Sequence, residues 1–186
     1  MCTILNVVIK NERILDAAAH VLSRRPDATL QSIADSAGIS RTTIFHRYPT
    51  RSDLIAALAI DTVARIGEAM QQVPSQLEDD AGPALLAITE ALMPLGPRTI
   101  FLRMHLDAQD VLESHWIEAA TPLAIYFAML QAAGRLRSDL PPRWLTASYI
   151  GLLFAAWDEV ESGELGHAQA ARLVTHTWLS GSGYSG

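Results

Sequence analysis

The sequence predicts an all-α protein. Stretches rich in Ala and Leu, with apolar residues at helical spacing, fill most of the 186 residues. Pro and Gly lie mainly in the breaks between these stretches, and no alternating apolar–polar run of useful length indicates a strand. Apolar residues make up 49% of the chain, enough to bury a core, and charged residues make up 18%, too few for a disordered chain.

The N-terminal part predicts three helices separated by tight connections. Apolar residues at helical spacing indicate a first helix over about residues 10–25. Thr29 can cap a second, short helix through its hydroxyl, and Gly38 suits the left-handed position that ends it. Ser40 can cap the third helix, Arg41–Tyr48, and the proline that follows ends it.

The rest of the chain predicts further helices joined by polar breaks. Thr50 and Asp53 stand in the positions of a capping box, with Asp in place of the usual Glu, before a helix that extends to about Met70. A polar, acidic loop is expected over about residues 74–82. Later helices are predicted over about residues 83–93, from 98 to 107, 110–133 with a kink at Pro122, 142–163 and 165–179.

The second and third helices have the parts of a helix-turn-helix. Where two helices meet closely the geometry requires a small residue, and Ala34 provides it. The turn requires a residue that tolerates positive φ, Gly38, followed by an apolar residue, Ile39. Ile44 then faces the core, so the other side of the third helix is left for solvent or a ligand.

The residues on that outer side suit DNA. The N-termini of helices attract phosphates, and Thr29, Ser40 and Thr50 mark three such places. Four side chains could contact DNA directly. Arg41 could bind a guanine in bidentate fashion, Thr42 could contact a thymine methyl group, and His46 could contact a base edge or a phosphate. Arg51, in the first turn of the next helix, could bind a phosphate.

The charge is divided unevenly along the chain. The net charge is −6, which by itself argues against a nucleic-acid binder. Residues 1–60, however, contain seven Lys and Arg against five Asp and Glu, whereas the remainder contains seven against fifteen. A mildly basic N-terminal part can therefore contact phosphates while the acidic remainder keeps the chain soluble.

The run from Thr29 to Leu54 resembles the DNA-binding domain of TetR-family regulators. The shared pattern is Thr, a helix, Ala-Gly-apolar-Ser, then Thr-apolar-aromatic with a second aromatic three residues on, then a cation and Leu. The resemblance covers about residues 10–58. It implies phosphate contacts at Thr29, Thr43, Phe45, Arg47 and Arg51, base contacts at Arg41, Thr42 and His46, and a packing role for Tyr48.

Two positions depart from the usual pattern. The family often has Tyr at the position of Phe45, and Phe cannot donate a hydrogen bond to a phosphate. It often has Lys at the position of Arg51, a change that a point contact tolerates. The expected architecture is an N-terminal three-helix helix-turn-helix DNA-binding domain, residues 1–50, joined to a larger helical ligand-binding and dimerisation domain, residues 51–180, with a flexible tail at 181–186.

The C-terminal part contains no motif of comparable specificity. By family analogy it holds a ligand pocket, for which apolar residues and one titratable group are the candidates: Phe101, Met104, His105, Trp116 and Phe127. A core role explains each of them as well. A polar group near one helix junction would suit a metal, although a solvated junction explains it equally: His105, Asp107, Asp110, Glu113 and His115. We expect no metal and no cofactor.

The last two helices predict a dimer interface. Small residues on one side allow another helix to approach closely, and bulky apolar residues supply buried area. The candidates are Ala147, Gly151, Phe154, Ala155, Leu173, Val174 and Trp178. Burial inside one subunit is the alternative. A dimer is favoured because one short helix reads few bases, and two-fold symmetry supplies a second half-site.

These features predict a homodimeric repressor that binds an inverted-repeat, double-stranded DNA operator and is released by a small apolar or amphipathic effector. An activator or an architectural DNA-binding protein without an effector is the alternative. An enzyme is not expected, because no nucleophile–base pair, Gly-rich phosphate loop or HExxH motif is found.

The expected location is the cytoplasm. The single cysteine, Cys2, excludes an intrachain disulfide and fits a reducing compartment. The apolar run around residues 147–157 is far shorter than the roughly 20 residues of a membrane span. The N-terminus carries no basic segment ahead of its apolar residues, so it does not resemble a secretory signal.

Overall fold

The structure, a computed structural model, is built of α-helices. It describes the backbone of residues 2–71, 73, 81–104 and 109–183, and the side chains of residues 12–71, 73, 81–103 and 120–183. The helices are α1 (Cys2–Arg24), α2 (Leu30–Ala37), α3 (Arg41–Arg47), α4 (Arg51–Met70), α5 (Ala81–Leu92), α6 (Gly96–Met104), α7 (Gln109–Ala132), α8 (Pro142–Glu161) and α9 (His167–Ser182). The all-α prediction is confirmed.

The chain forms two compact units. The first, which we call the head, contains residues 1–62 and 97–112, and the second, the body, contains residues 63–96 and 113–186. The division falls inside α4, between Thr62 and Val63, whereas the sequence predicts a domain boundary at residue 50. Helix α6 likewise begins in the body at Gly96 and continues in the head from Pro97.

The head is held together by a single apolar core. Each helix contributes residues at helical spacing to it, because one side of each faces the others. The fully buried members include Ile14, Leu15, Ala18 and Leu22 of α1, Ile33 and Ala34 of α2, Ile44 of α3, Leu54 and Leu58 of α4, and Phe101 and Leu102 of α6. The predictions that Ala34 is a small buried residue where helices meet and that Ile44 faces the core are therefore confirmed.

A buried arginine joins α6 to two other helices of the head. The Arg98 side chain is only 3% exposed, and its guanidinium forms ion pairs with the carboxylates of Asp16 on α1 and Asp61 on α4. A buried cation is costly unless it is paired, so these two carboxylates hold α6 in place. The pairs link residues far apart in the sequence, and no local pattern predicts them.

Aromatic and hydroxyl contacts fill the body. The rings of Phe127 on α7 and Trp178 on α9 stack with centroids 4.3 Å apart, and Tyr149 on α8 meets both rings edge-on. The Tyr149 hydroxyl lies 2.8 Å from the Thr89 hydroxyl, which in turn lies 3.2 Å from that of Thr175. Burial raises the pKa of the Tyr149 phenol, and its hydrogen bond with Thr89 opposes that shift.

Two segments that the sequence predicts to be non-helical contain helical structure. Residues 94–97 do not interrupt the helical path, because a 3₁₀ turn, Met93–Leu95, leads from α5 directly into α6. Of the predicted tail, Gly181 and Ser182 complete α9, and Gly183 pairs with Leu136 in an isolated β-bridge. Pro122 lies inside α7, as predicted, and the kink at this residue stays a prediction.

One stretch of the described chain meets the length and composition of a membrane span. The segment Ala81–Arg103 has a mean hydropathy of 1.3 in its most apolar window, and 72% of that window is buried inside the protein. Because the segment comprises α5, the 3₁₀ turn and most of α6, its burial in the two units explains its apolar character.

Candidate nucleic-acid interface and body cavity

Local caps and one glycine fix the helix-turn-helix. The Thr29 hydroxyl accepts the backbone N–H of Ser32 at 3.2 Å and so caps α2. Gly38 ends α2 with φ 65° and ψ 37°, the left-handed conformation in which a Cβ atom is strained. The Ser40 hydroxyl then accepts the backbone N–H of Thr43 at 3.2 Å and begins α3. All three features were predicted from the sequence.

The outer side of α3 is free for a ligand. Ile44 is fully buried and fixes the inner side of the helix, whereas Arg41, Thr42 and His46 are exposed. The three residues expected nearest the bases therefore lie together on one accessible side of a helix, within two turns. Tyr48 is buried in the head core, as a packing residue would be.

The residues expected at phosphates lie around this helix. Thr29, Ser40 and Thr43 are exposed, and Arg47 is half-buried. The Ser40 and Thr43 hydroxyls lie 2.8 Å apart, so one donates to the other in the free protein. Phe45 is 38% exposed, and the Arg41 guanidinium lies over its ring, 5.1 Å from the centroid.

Arg51 binds two backbone carbonyls that its local sequence does not indicate. Its Nε donates to the carbonyl of Ala28 at 3.4 Å, and its Nη2 donates to the carbonyl of Pro26. These carbonyls belong to the connection between α1 and α2, so Arg51 ties the start of α4 to that connection. A phosphate contact by Arg51 stays a prediction, and it would have to use the donors that these carbonyls leave.

Arg13 stabilises the turn itself. Its Nη2 donates to the carbonyl of Ala37 at 3.4 Å, directly before Gly38. This bond joins residues 24 positions apart, so the sequence offered no local signal for it. Arg13 thus holds the turn between α2 and α3 from the side of α1.

The capping box at the start of α4 is confirmed. The backbone N–H of Asp53 donates to the Thr50 hydroxyl at 3.1 Å, and the backbone N–H of Thr50 donates to the Asp53 carboxylate at 2.9 Å. The Thr50 hydroxyl also donates to that carboxylate at 2.7 Å. The Asp53 carboxylate is therefore bound at the N-terminus of α4, where a negative charge is favourable. In this position it does not repel an anion at α3.

The candidate ligand residues fall in different places. Phe101 belongs to the head core, and Phe127 belongs to the aromatic cluster of the body. The side chains of Met104, His105 and Trp116 lie outside the described residues, as do those of the candidate metal group at positions 105–115. The described side chains contain no group of three or more potential metal ligands.

A cavity in the body is lined by other residues. Its volume is about 30 Å³. Its walls are apolar side chains from α4, α5, α7 and α8: Ile66, Met70, Leu92, Ala120, Leu123, Tyr149, Ile150, Leu153 and Trp157. The four α8 residues recur at helical spacing, a pattern that predicts a buried side of a helix but does not separate a cavity wall from a filled core.

The candidate interface residues divide into exposed and buried ones. Ala147, Gly151 and Ala155 lie exposed along one side of α8, and Leu173 of α9 is 53% exposed. Trp144, which precedes them on α8, is 60% exposed. Val174 and Trp178 are buried within the chain, and the indole N–H of Trp178 donates to the Leu145 carbonyl at 3.1 Å. Phe154 is half-buried and meets the Trp157 ring edge-on.

Known proteins with similar sequences are transcription regulators. The family described as bacterial regulatory proteins, tetR family, matches residues 14–58. The HTH-type transcriptional repressor LfrR of Mycolicibacterium smegmatis is 30% identical over 173 residues, which cover 87% of this chain and 85% of that protein. The HTH-type transcriptional regulator NfxB of Pseudomonas aeruginosa is 22% identical over 183 residues, with coverage of 96% and 97%.

Solved structures agree with these sequence comparisons. The crystal structure of LfrR in complex with proflavine superposes with a TM-score of 0.74 at 25% identity, covering 92% of this chain and 96% of that one. The regulator PfmR of Thermus thermophilus shares the fold, with a TM-score of 0.70 at 14% identity and coverage of 90% and 97%. Since the match to LfrR extends over both the head and the body, this chain belongs to the TetR family of DNA-binding transcription regulators, a family of non-enzymes.

Proposed function

We propose that this regulator is a cytoplasmic homodimeric repressor that binds an inverted-repeat operator and is released by a small molecule. The observation that carries the proposal is the exposed group Arg41, Thr42 and His46 on a helix whose opposite side is anchored by the buried Ile44. A short helix of this kind fits the major groove, where base edges present distinct donors and acceptors. Repression is suggested by the name of the relative LfrR.

The dimer is supported by the exposed side of α8 and α9. Small residues at 147, 151 and 155 allow close approach of a second helix, while Trp144 and Leu173 offer apolar area that the single chain leaves in solvent. We expect Leu173→Glu to convert the dimer to monomer. The matched control is Ile125→Glu, which changes a residue of α7 that is 57% exposed. Sedimentation equilibrium measures both, and a monomeric parent protein would refute the dimer.

The operator follows from two-fold symmetry. Two α3 helices related by the dimer axis would read half-sites one helical turn apart, about 34–36 Å, or a multiple of it. Selection from random DNA followed by electrophoretic shift tests this. We expect an inverted repeat with salt-sensitive binding, whereas selection of no sequence, or of one unpaired half-site, would contradict the proposal.

The effector site is proposed at the body cavity. Ligand pockets of drug size enclose about 300–1,000 Å³, so the cavity must expand before it holds such a molecule. Expansion would displace Trp157, which packs against Gly96 at the start of α6. Helix α6 continues to Arg98, which is paired with Asp16 and Asp61. A ligand that favours the expanded body would thereby bias the head towards a second conformation.

Proflavine, which LfrR binds in its crystal structure, is the first probe. We expect it to bind this chain and to release the operator, and Leu153→Trp, which fills the cavity, to abolish both effects while DNA binding remains. The small size of the cavity favours one alternative, a DNA-binding protein without an effector. A thermal-shift screen in which neither proflavine nor other planar aromatic cations raise the Tm would support that alternative.

A further inference from the structure

Phe45 is an unusual residue for the outer side of α3. It is one of the large apolar side chains that the described chain exposes, at 38%, among polar neighbours. The head core does not include it, since Ile44 and Tyr48 fill the inner side of this segment. Its ring carries no polar atom, so it cannot donate a hydrogen bond to a phosphate as a tyrosine hydroxyl would.

The ring is covered by Arg41. These residues lie four positions apart on α3, where side chains of a helix become neighbours. The guanidinium carbon of Arg41 lies 5.1 Å from the centroid of the Phe45 ring, within the range of a cation–π interaction. In the described part of the chain no carboxylate forms an ion pair with Arg41, so the ring is the group that orients it.

We propose that Phe45 is a positioning residue that determines specificity by holding the Arg41 guanidinium for a guanine. A guanidinium that stacks on an aromatic ring uses its face, and its N–H groups, which point outward in the plane, then stay available. A guanine presents the N7 and O6 acceptors that match two such donors. Because Arg41 is already oriented, less side-chain freedom is lost when the base is bound, and the discrimination against other bases increases.

This inference rests on the proposed function, since it requires a DNA site. The test therefore begins with selection of a preferred sequence by the unmodified chain, and failure at that step refutes the proposed function. Once a sequence is selected, Arg41→Ala identifies the base pair that Arg41 reads, as the position at which the preference is relaxed. Fluorescence anisotropy then gives the ratio of affinities for the selected DNA and for DNA changed at that base pair.

The test variant is Phe45→Leu, which keeps apolar bulk and removes the aromatic face. The control is Phe45→Tyr, which keeps the ring. We expect Phe45→Leu to lower the ratio of affinities by about 3- to 30-fold, the range for cation–π interactions from exposed to desolvated sites. Phe45→Tyr should retain the ratio. A general loss of folded protein would lower both affinities equally, so it does not move this readout.

A double-mutant cycle separates positioning from direct contact. In the Arg41→Ala background, Phe45→Leu should lower the ratio no further, because the group that Phe45 positions is gone. An equal loss in both backgrounds, or an unchanged ratio in the Phe45→Leu variant, would overturn the proposal.

Nuclear magnetic resonance checks the geometry without DNA. The ring current of Phe45 should shift the Arg41 side-chain protons upfield in the unmodified chain and not in Phe45→Leu. Identical Arg41 shifts in the two proteins would overturn the proposal independently of the DNA measurements.

Discussion

The head and the body reach stable packing by different routes. In the head, short-range hydrogen bonds fix the starts of α2, α3 and α4, in addition to the long-range bonds of Arg98, Arg51 and Arg13: Thr29 binds Ser32, Ser40 binds Thr43, and Thr50 binds Asp53. In the body, the N-caps of α8 and α9 form no side-chain hydrogen bond, and long-range contacts such as that of Tyr149 with Thr89 join the helices. The difference suggests that the head must present one fixed helix, whereas the body can repack.

The largest effect is expected at the buried cation of the head. Replacing Asp16 and Asp61 together by Asn leaves Arg98 buried without a counter-charge, which should lower the free energy of unfolding by about 3 kcal/mol. Arg98→Met removes the cation and leaves two carboxylates that reach solvent, so its cost should be far smaller. Urea denaturation followed by circular dichroism compares them, and equal losses would mean that the ion pairs do not hold α6.

The next effect is a steric one in the body. A Cβ atom at Gly96 would lie 2.6 Å from Cδ1 of Trp157, so Gly96→Ala must displace that ring. Overpacking of this kind costs about 2 kcal/mol. The control is Gly67→Ala in α4, where, among the described residues, no atom beyond the local helix backbone and chain neighbours lies within 4 Å of the added Cβ, so the replacement should be neutral or stabilising. Thermal unfolding measures both, and equal Tm values would show that the body yields more easily than proposed.

A smaller effect is expected at the buried phenol. Tyr149→Phe removes a hydrogen bond to Thr89 and should cost about 1 kcal/mol at neutral pH. The folded-state pKa of Tyr149 is raised, so the unfolded chain ionises first and the parent protein loses stability as the pH rises above the ordinary tyrosine value of about 10. The difference in the free energy of unfolding between the parent protein and Tyr149→Phe should therefore become smaller above that pH. A difference that becomes larger would contradict the burial of the phenol.

The cap of α3 should give an effect of similar or smaller size. Ser40→Ala removes the acceptor for the Thr43 N–H and should cost about 1 kcal/mol of stability. Ser40→Asp keeps an acceptor and serves as the control for the cap in the absence of DNA. Hydrogen exchange at the first amides of α3 follows the cap directly, and unchanged protection in Ser40→Ala would show that the tertiary anchor at Ile44 alone holds the helix.

The helix-turn-helix could be predicted from the sequence because its signals are local. The caps Thr29 and Ser40 and the left-handed Gly38 act over three or four residues, so their spacing in the sequence is their spacing in space. The outward position of Arg41, Thr42 and His46 followed from the helical period alone.

The remaining features depend on contacts between distant parts of the chain. The ion pair of Arg98 with Asp16 spans 82 residues, and the hydrogen bonds of Arg51 reach back to Pro26 and Ala28. The sequence showed that these residues were charged, but not where their partners would lie. For the same reason the cavity was missed: its walls come from four helices, and apolar residues at helical spacing look alike whether they line a cavity or fill a core.

Competition between a selected operator and a shuffled DNA of the same composition tests the central claim most directly. The outer side of α3 is proposed to read bases, so the unmodified chain should prefer the operator by about a thousand-fold or more, and an Arg41→Ala/His46→Ala variant should lose most of that preference while its head stays folded. Full preference in the double variant, or no preference in the unmodified chain, would contradict the account.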